Sequence, residues 1–436
     1  MGKVNCGIRN MFMRTLKSIC LSLLIVAGAL AGASGQPSPT NINPALLYYQ
    51  AFLMAPKTMS DADWEYLGSR VGREQKLPER FGPIFAGYDN EFKLAQKGAQ
   101  QTAPCDWGID MSAGPGTLLP HLAPVKAVAV ASKVRVKWDL QQGNQIGARD
   151  DLLTAFVLGR NVSRDGTLIG ALVQYACEAI VYGTMAENFG QFSPETLQQL
   201  VEGFDAAPAR GSMATTMMTA KTLDPDWLVN KIQKLQQENP GNDAKVMEAI
   251  RDNDELQDFL VYNHDELGKR DTNIWQQIVT ASGGTSGGLL KLVRDWEPLY
   301  SRLAKIMTLP LPEYQDQIQA FAAEIQGSQN PLVQAHFPDP LRPRPREFKI
   351  QAWQAMVRAA VAYKLHGESG LQSVMDPFGN GPFAFQRFVF EGVDRGFELK
   401  SAYNDGQSFP CALIFVEKEG TPFRVDGPHI GQAVQP

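Results

Sequence analysis

Residues 284–288, GTSGG, satisfy the G-x-S-x-G signature of a nucleophile elbow. In that role Ser286 would attack an acyl carbon, because a strained strand-to-helix turn lifts its hydroxyl towards a histidine base. The elbow needs a buried strand before the serine and a helix after it. LLKLVRDWEPLYSRL, which follows, has helical spacing, but the preceding DTNIWQQIVTAS is also spaced as a helix, with Asp271 placed to cap it. A flexible Gly/Ser loop between two helices is the simpler reading. The neighbouring SGGTSGG lacks the lysine that a phosphate-binding loop requires.

The other reactive side chains are dispersed. His121, His264, His336, His366 and His429 stand singly, with no H-E-x-x-H, no histidine pair at i and i+4, and no C-x-x-C. His264-Asp265-Glu266 reads as a solvated cluster near a helix end. Carboxylate pairs for glycoside chemistry are set by the fold and not by spacing. No catalytic, cofactor-binding or metal-ligating residue is assigned from these patterns.

The chain that must position such groups has 436 residues, 44% hydrophobic and 20% charged, as expected of a globular protein of more than one core. Lys3, Arg9, Arg14 and Lys17 precede ICLSLLIVAGALAGA, residues 19–33, which ends in the small-residue pattern Ala31-Gly32-Ala33. This is the anatomy of a secretory signal peptide over residues 1–33, with an uncleaved anchor as the alternative. Without that segment the chain carries 37 basic and 46 acidic residues, a net charge of −9. An acidic chain with no basic patch is a poor nucleic-acid ligand. Three cysteines then remain, Cys105, Cys177 and Cys411, too few for a disulfide framework. Cys177 lies in an apolar helical run, and a Cys105–Cys411 bridge is left open.

Hydropathy spacing predicts a mainly α protein of stacked antiparallel helical hairpins, followed by a small C-terminal α+β module with an antiparallel sheet. Residues 34–124 form an N-terminal helix, begun by Asn43 and Pro44, and an irregular segment. The helical domain spans 125–335. In it Leu168, Ile169, Leu172, Val173, Ala176 and Ile180 share one helical face, and Ser193-Pro194 and Asp224-Pro225 are placed as N-cap and first helical residue. Four prolines in PDPLRPRPRE argue against a helix there and make 336–347 a linker. A final helix from about Phe348 to His366 precedes three Phe- and Val-rich strands within 348–436. Between them DPFGNGPFAF, residues 376–385, is the turn where the helix ends and the sheet begins.

These last motifs carry a resemblance. DPFGNGPFAFQRF followed by GFELKSAYNDG, with NPALLYYQAF near the start and the run DGTLIGALVQYACEAIVYGTMAENFGQFSPETLQQLVEGFDAAP, resembles a family of exported, mostly helical proteins of environmental bacteria. That family has no assigned activity, so the resemblance implies architecture and export. The C-terminal hairpins are also reminiscent of pseudopilin globular ends, in which a loop matching residues 401–406 binds calcium. Here that loop offers one carboxylate, Asp405, against the several that calcium commonly requires, and a turn is the better reading. The expectation is an exported, non-catalytic cell-envelope protein, periplasmic or extracellular, with a protein or envelope partner and no cofactor. Membrane contact would come only through an uncleaved N-terminal segment. The alternative is an exported hydrolase using Ser286 or a metal held by dispersed Asp, Glu and His.

Overall fold

The N-terminal helices form where local side chains close the first turn. Asn43 accepts the Ala45 amide at 3.1 Å ahead of α1 (Pro44–Leu53), as the Asn-Pro pair predicts. Contrary to the irregular segment expected before residue 124, four more helices follow: α2 (Asp61–Gly68), α3 (Arg70–Glu74), α4 (Phe81–Ala86) and α5 (Asp89–Ala99). Their apolar periodicity is short and interrupted by Gly and Pro, so each is one to three turns long and depends on packing more than on propensity. The computed structural model describes residues 41–56, 59–261, 272–404, 410–420 and 424–425. The segment 1–33 expected to be a signal peptide, Asp271, the His264 cluster, Asp405, Gly406 and His429 lie outside the described residues.

The core is built from α6 (Leu122–Gln141), α7 (Gln145–Val162) and α8 (Leu168–Glu187), which pack on one another, with α9 (Pro194–Ala206) against α7. Ser193 caps α9 by accepting the Thr196 amide at 3.1 Å, and Leu197, Leu200 and Phe204 are buried as the spacing predicts. The mainly helical class with a small C-terminal sheet is therefore the observed one.

The Asp224-Pro225 expectation is corrected. No helix starts there: α10 (Met213–Lys221) continues through a π turn, Thr222–Asp226, into α11 (Trp227–Glu238). The wide turn accommodates a proline that offers no amide. Asp224 caps nothing and instead accepts the Tyr300 hydroxyl at 2.7 Å. Next come α12 (Asp243–Asp252), α13 (Asp254–Leu260), α14 (Thr272–Ala281), α15 (Ser286–Ile306), α16 (Leu311–Gln326) and α17 (Pro331–His336).

The linker expected over 336–347 is also corrected. Helix α18 (Pro343–His366) begins inside it, with Pro343 and Pro345 in the first turn, where the amides they lack have no intrahelical partner. Helix α18 packs on α8 and α9, and the described residues from Asn43 onward form one compact unit.

After α19 (Glu368–Gln372), strands β1 (Ala384–Phe390), β2 (Val393–Lys400) and β3 (Ala412–Val416) form one antiparallel sheet in that order. Phe189 closes it against the helices, its ring 5.7 Å from Phe397 and 5.2 Å from Phe415. The DPFGNGP turn is a clasp as well as a boundary. Asp376, 4% exposed, accepts the Ser401 hydroxyl at 2.8 Å and the Ala402 amide at 2.6 Å, tying the turn to the end of β2. Cys105, Cys177 and Cys411 are buried and in no disulfide, so the open Cys105–Cys411 pairing is not formed.

Candidate functional site

Ser286 is the first residue of α15, and what precedes it is α14 and a tight loop. The strand of an elbow is replaced by a helix. Thr285 caps α15 by accepting the Gly288 amide at 3.0 Å. Gly288 must lack a side chain, because a Cβ there would lie 1.8 Å from the Ser282 carbonyl oxygen. The Ser286 hydroxyl donates to the Asp243 carboxylate and accepts from Gln236 Nε2 at 2.9 Å, with the residue 1% exposed. These bonds tie three helices together, and no histidine is among the partners.

The described histidines meet other fates. His121 is fully buried, stacked on Trp107 at 4.5 Å, with Nε2 3.3 Å from Asp165 Oδ2. The two atoms are close but not aligned for a hydrogen bond. His336 lies 3.2 Å from the Leu260 carbonyl oxygen, and burial brings its pKa down to about 4. Among the described residues no group of three His, Cys, Asp or Glu is placed to hold a metal. Burial pushes the Cys105 and Cys177 thiols up to about 12, which leaves them protonated and inert at neutral pH.

Helix α8 is apolar on both faces, and its buried face carries Ala171, Tyr175, Val181, Tyr182 and Met185. The apolar stripe read from the sequence is the less buried face: Ile169 is 57% exposed, while Leu172, Val173, Ala176 and Ile180 are half-buried, with Leu172, Val173 and Ile180 packed along the edge of the core. The opposite face buries Gln174 and Glu178 completely. Glu178 is held by Arg160 Nε at 3.0 Å and Arg210 Nη2 at 2.6 Å, and Gln174 Nε2 donates to it at 3.0 Å. Arg210 also reaches Gln354 on α18 at 2.9 Å. Burial opposes the Arg210 charge, but Glu178 outweighs it and raises the guanidinium pKa. A carboxylate in mid-run of an apolar helix was the available signal. Its two arginines come from distant segments, so spacing could not reveal them. None of the clefts described below is lined by Glu178, which marks this network as a structural tie.

The partly exposed stripe of α8 runs into a groove with two lobes, of about 110 and 440 Å³. Leu67, Arg73, Lys133, Val134 and Glu187 line both lobes, so they are one depression. Its walls come from α2–α3, from α6 and α8, and from residues 419–420 and 424–425 after the sheet. The C-terminal wall is held close: a Cβ on Gly420 would come within 2.7 Å of the Glu74 carbonyl oxygen. Trp64, Ala179 and Ile180 make one lobe apolar. In the other, Lys137 Nζ donates to the Gly72 carbonyl at 2.6 Å and the Arg73 carbonyl at 3.0 Å. Burial lowers the Lys137 pKa to about 8, against the raising pull of Glu187. Lys133 pairs with Glu187 at 2.8 Å. The depression offers apolar contact and fixed charge, with Lys137 engaged by carbonyls and Lys133 by a carboxylate. Compared with protein-family models, with curated proteins and with solved structures, the chain matches none of them.

Proposed function

We propose that this is an exported, non-catalytic cell-envelope protein that binds a polypeptide partner along the α8 groove. The observation that carries the reading is the partly exposed apolar stripe from Ile169 to Ile180, which meets the groove at Ile180 beside Ala179. A contiguous apolar face that the fold covers only in part is read as an interaction surface. Helix α8 is long and apolar enough by composition to cross a membrane, but 56% of that window is buried in this fold, so a surface role suits the stripe better than a span. The N-terminal sequence supports export, with the cut after Ala33.

The test places a photo-crosslinking side chain at Leu172 and at Ile180 in the intact host cell, with Lys291 on α15, whose side chain is 76% exposed, as the control position. The same discrete adduct from both α8 positions, Leu172 on the stripe and Ile180 in the groove, and none from Lys291 is the expected result, in a protein whose mass begins at Ser34. Absence of adducts at both positions would remove the interaction reading. Covalent labelling of Ser286 by a fluorophosphonate would replace it with the hydrolase alternative.

A further inference from the structure

A second cleft, sharing no residue with the α8 groove, lies between α7, the end of α9 and the connection after α5. Its volume is about 690 Å³, within the range of small-molecule sites, about 300–1,000 Å³. One stripe of α7 forms the floor: Asp150, Leu153, Thr154, Val157 and Asn161, continuing to Arg164 in the turn Ser163–Asp165. The fourteen steps from Asp150 to Arg164 at helical rise make that floor about 21 Å long. Leu153 and Val157 present apolar surface in its middle, flanked by Pro104 and Ala207. The two charges at its ends are not equivalent. Asp150 is neutralised by Arg149 at 2.7 Å and accepts from Gln96 Nε2 at 3.0 Å. Arg164 is exposed and, among the described residues, has no ion-pair partner. The cleft therefore combines an elongated apolar floor with one uncompensated positive charge at one end.

We propose that this cleft binds an amphipathic monoanion, with its unbranched apolar body on Leu153 and Val157 and its anionic head on Arg164. Charge complementarity selects a single negative group, and the length of the floor selects a chain of medium length. The proposal is independent of the α8 groove, and either can fail without the other.

Isothermal titration of the purified protein with decanoate tests it. The expected result is saturable one-to-one binding that strengthens several-fold per added methylene from octanoate to dodecanoate. Arg164→Gln should weaken decanoate binding about tenfold, as should replacing decanoate by neutral decanol, while Arg251→Gln on α12 leaves binding unchanged. Val157→Trp, which fills the floor, should abolish binding with an unaltered circular dichroism spectrum. Absence of saturable decanoate binding overturns the proposal. Equal affinity for decanoate in the Arg164→Gln variant, or equal affinity for decanol in the wild type, overturns it too. Those two comparisons decide the matter even if Val157→Trp does not fold.

Discussion

Replacing Glu178 by Gln removes a charge from the centre of the fold while keeping the shape of the side chain. Two guanidinium groups are left facing an amide. Arg160 and Arg210 are only 6% and 12% exposed at the side chain, so water cannot take the place of the lost carboxylate. At an effective dielectric of about 20, each contact is worth roughly 4 kcal/mol of gross attraction. The Gln carbonyl retains part of the hydrogen bonding, and breaking a buried pair from one side typically costs about 3–5 kcal/mol net. That loss is a large fraction of the roughly 5–15 kcal/mol that holds a folded domain together. Urea unfolding followed by circular dichroism at pH 7 should therefore show a midpoint far below wild type with an unchanged slope. Glu324→Gln, which breaks the exposed pair with Arg302 at 2.7 Å, should cost less than about 1 kcal/mol. A Glu178→Gln loss as small as that of Glu324→Gln would refute the claim that a buried charge network organises α7, α8 and α18.

Asp224 has its pKa raised by burial to about 6, with the Tyr300 hydroxyl pulling the other way. Its raised folded pKa means that stability falls as pH rises from about 4 to 6, by roughly 2 kcal/mol after allowance for partial exposure. Asp224→Asn should remove that slope in melting temperatures measured from pH 4 to pH 7. His336 has a folded pKa lowered to about 4, so its contribution is present above about 6.5 and is lost as pH falls towards 4. His336→Gln should flatten the acid limb of the same melting series. Ser286→Ala should cost about 1 kcal/mol in urea unfolding through the lost bonds to Asp243 and Gln236, and a larger effect would mean that α15 depends on this tie to α11 and α12 more than its geometry implies. Asp376→Ala should cost about 2 kcal/mol and speed amide exchange at Ala402 more than at Phe397, because the clasp holds the end of β2 and not its middle.

Much of the fold was legible where the cause of a structure lies within a few residues of it. Asn43-Pro44 and Ser193-Pro194 start helices because a side chain and the next two or three amides suffice. Asp224-Pro225 carries the same signature and fails, because Tyr300, 76 residues away, claims the carboxylate. The prolines of 343–345 were read as breakers when their position in a first turn made them compatible with a helix. The stripe of α8 was found, but its direction was not, since burial of Gln174 and Glu178 depends on Arg160, Arg210 and Gln354 from other segments. For the same reason neither groove was visible: each is lined by residues whose proximity only tertiary structure creates. At Ser286 a motif is present, and its context in the chain, a helix before and a helix after, already weighed against an elbow.

The C-terminal wall of the α8 groove has a kinetic meaning. Arg70 on α3 meets Glu391, 321 residues later, at 2.8 Å, and Gly420 rests on Glu74. Closing a loop of that length costs about 5 kcal/mol of chain entropy before the contact returns anything. Helices α6 to α8 can assemble from neighbours in sequence, whereas the groove waits for the two ends of the unit to meet. A chain that has made its helices but not docked its sheet would expose the α8 stripe without the wall beside it. Such an intermediate would be sticky and unselective, and the finished groove would be present only in molecules folded from end to end.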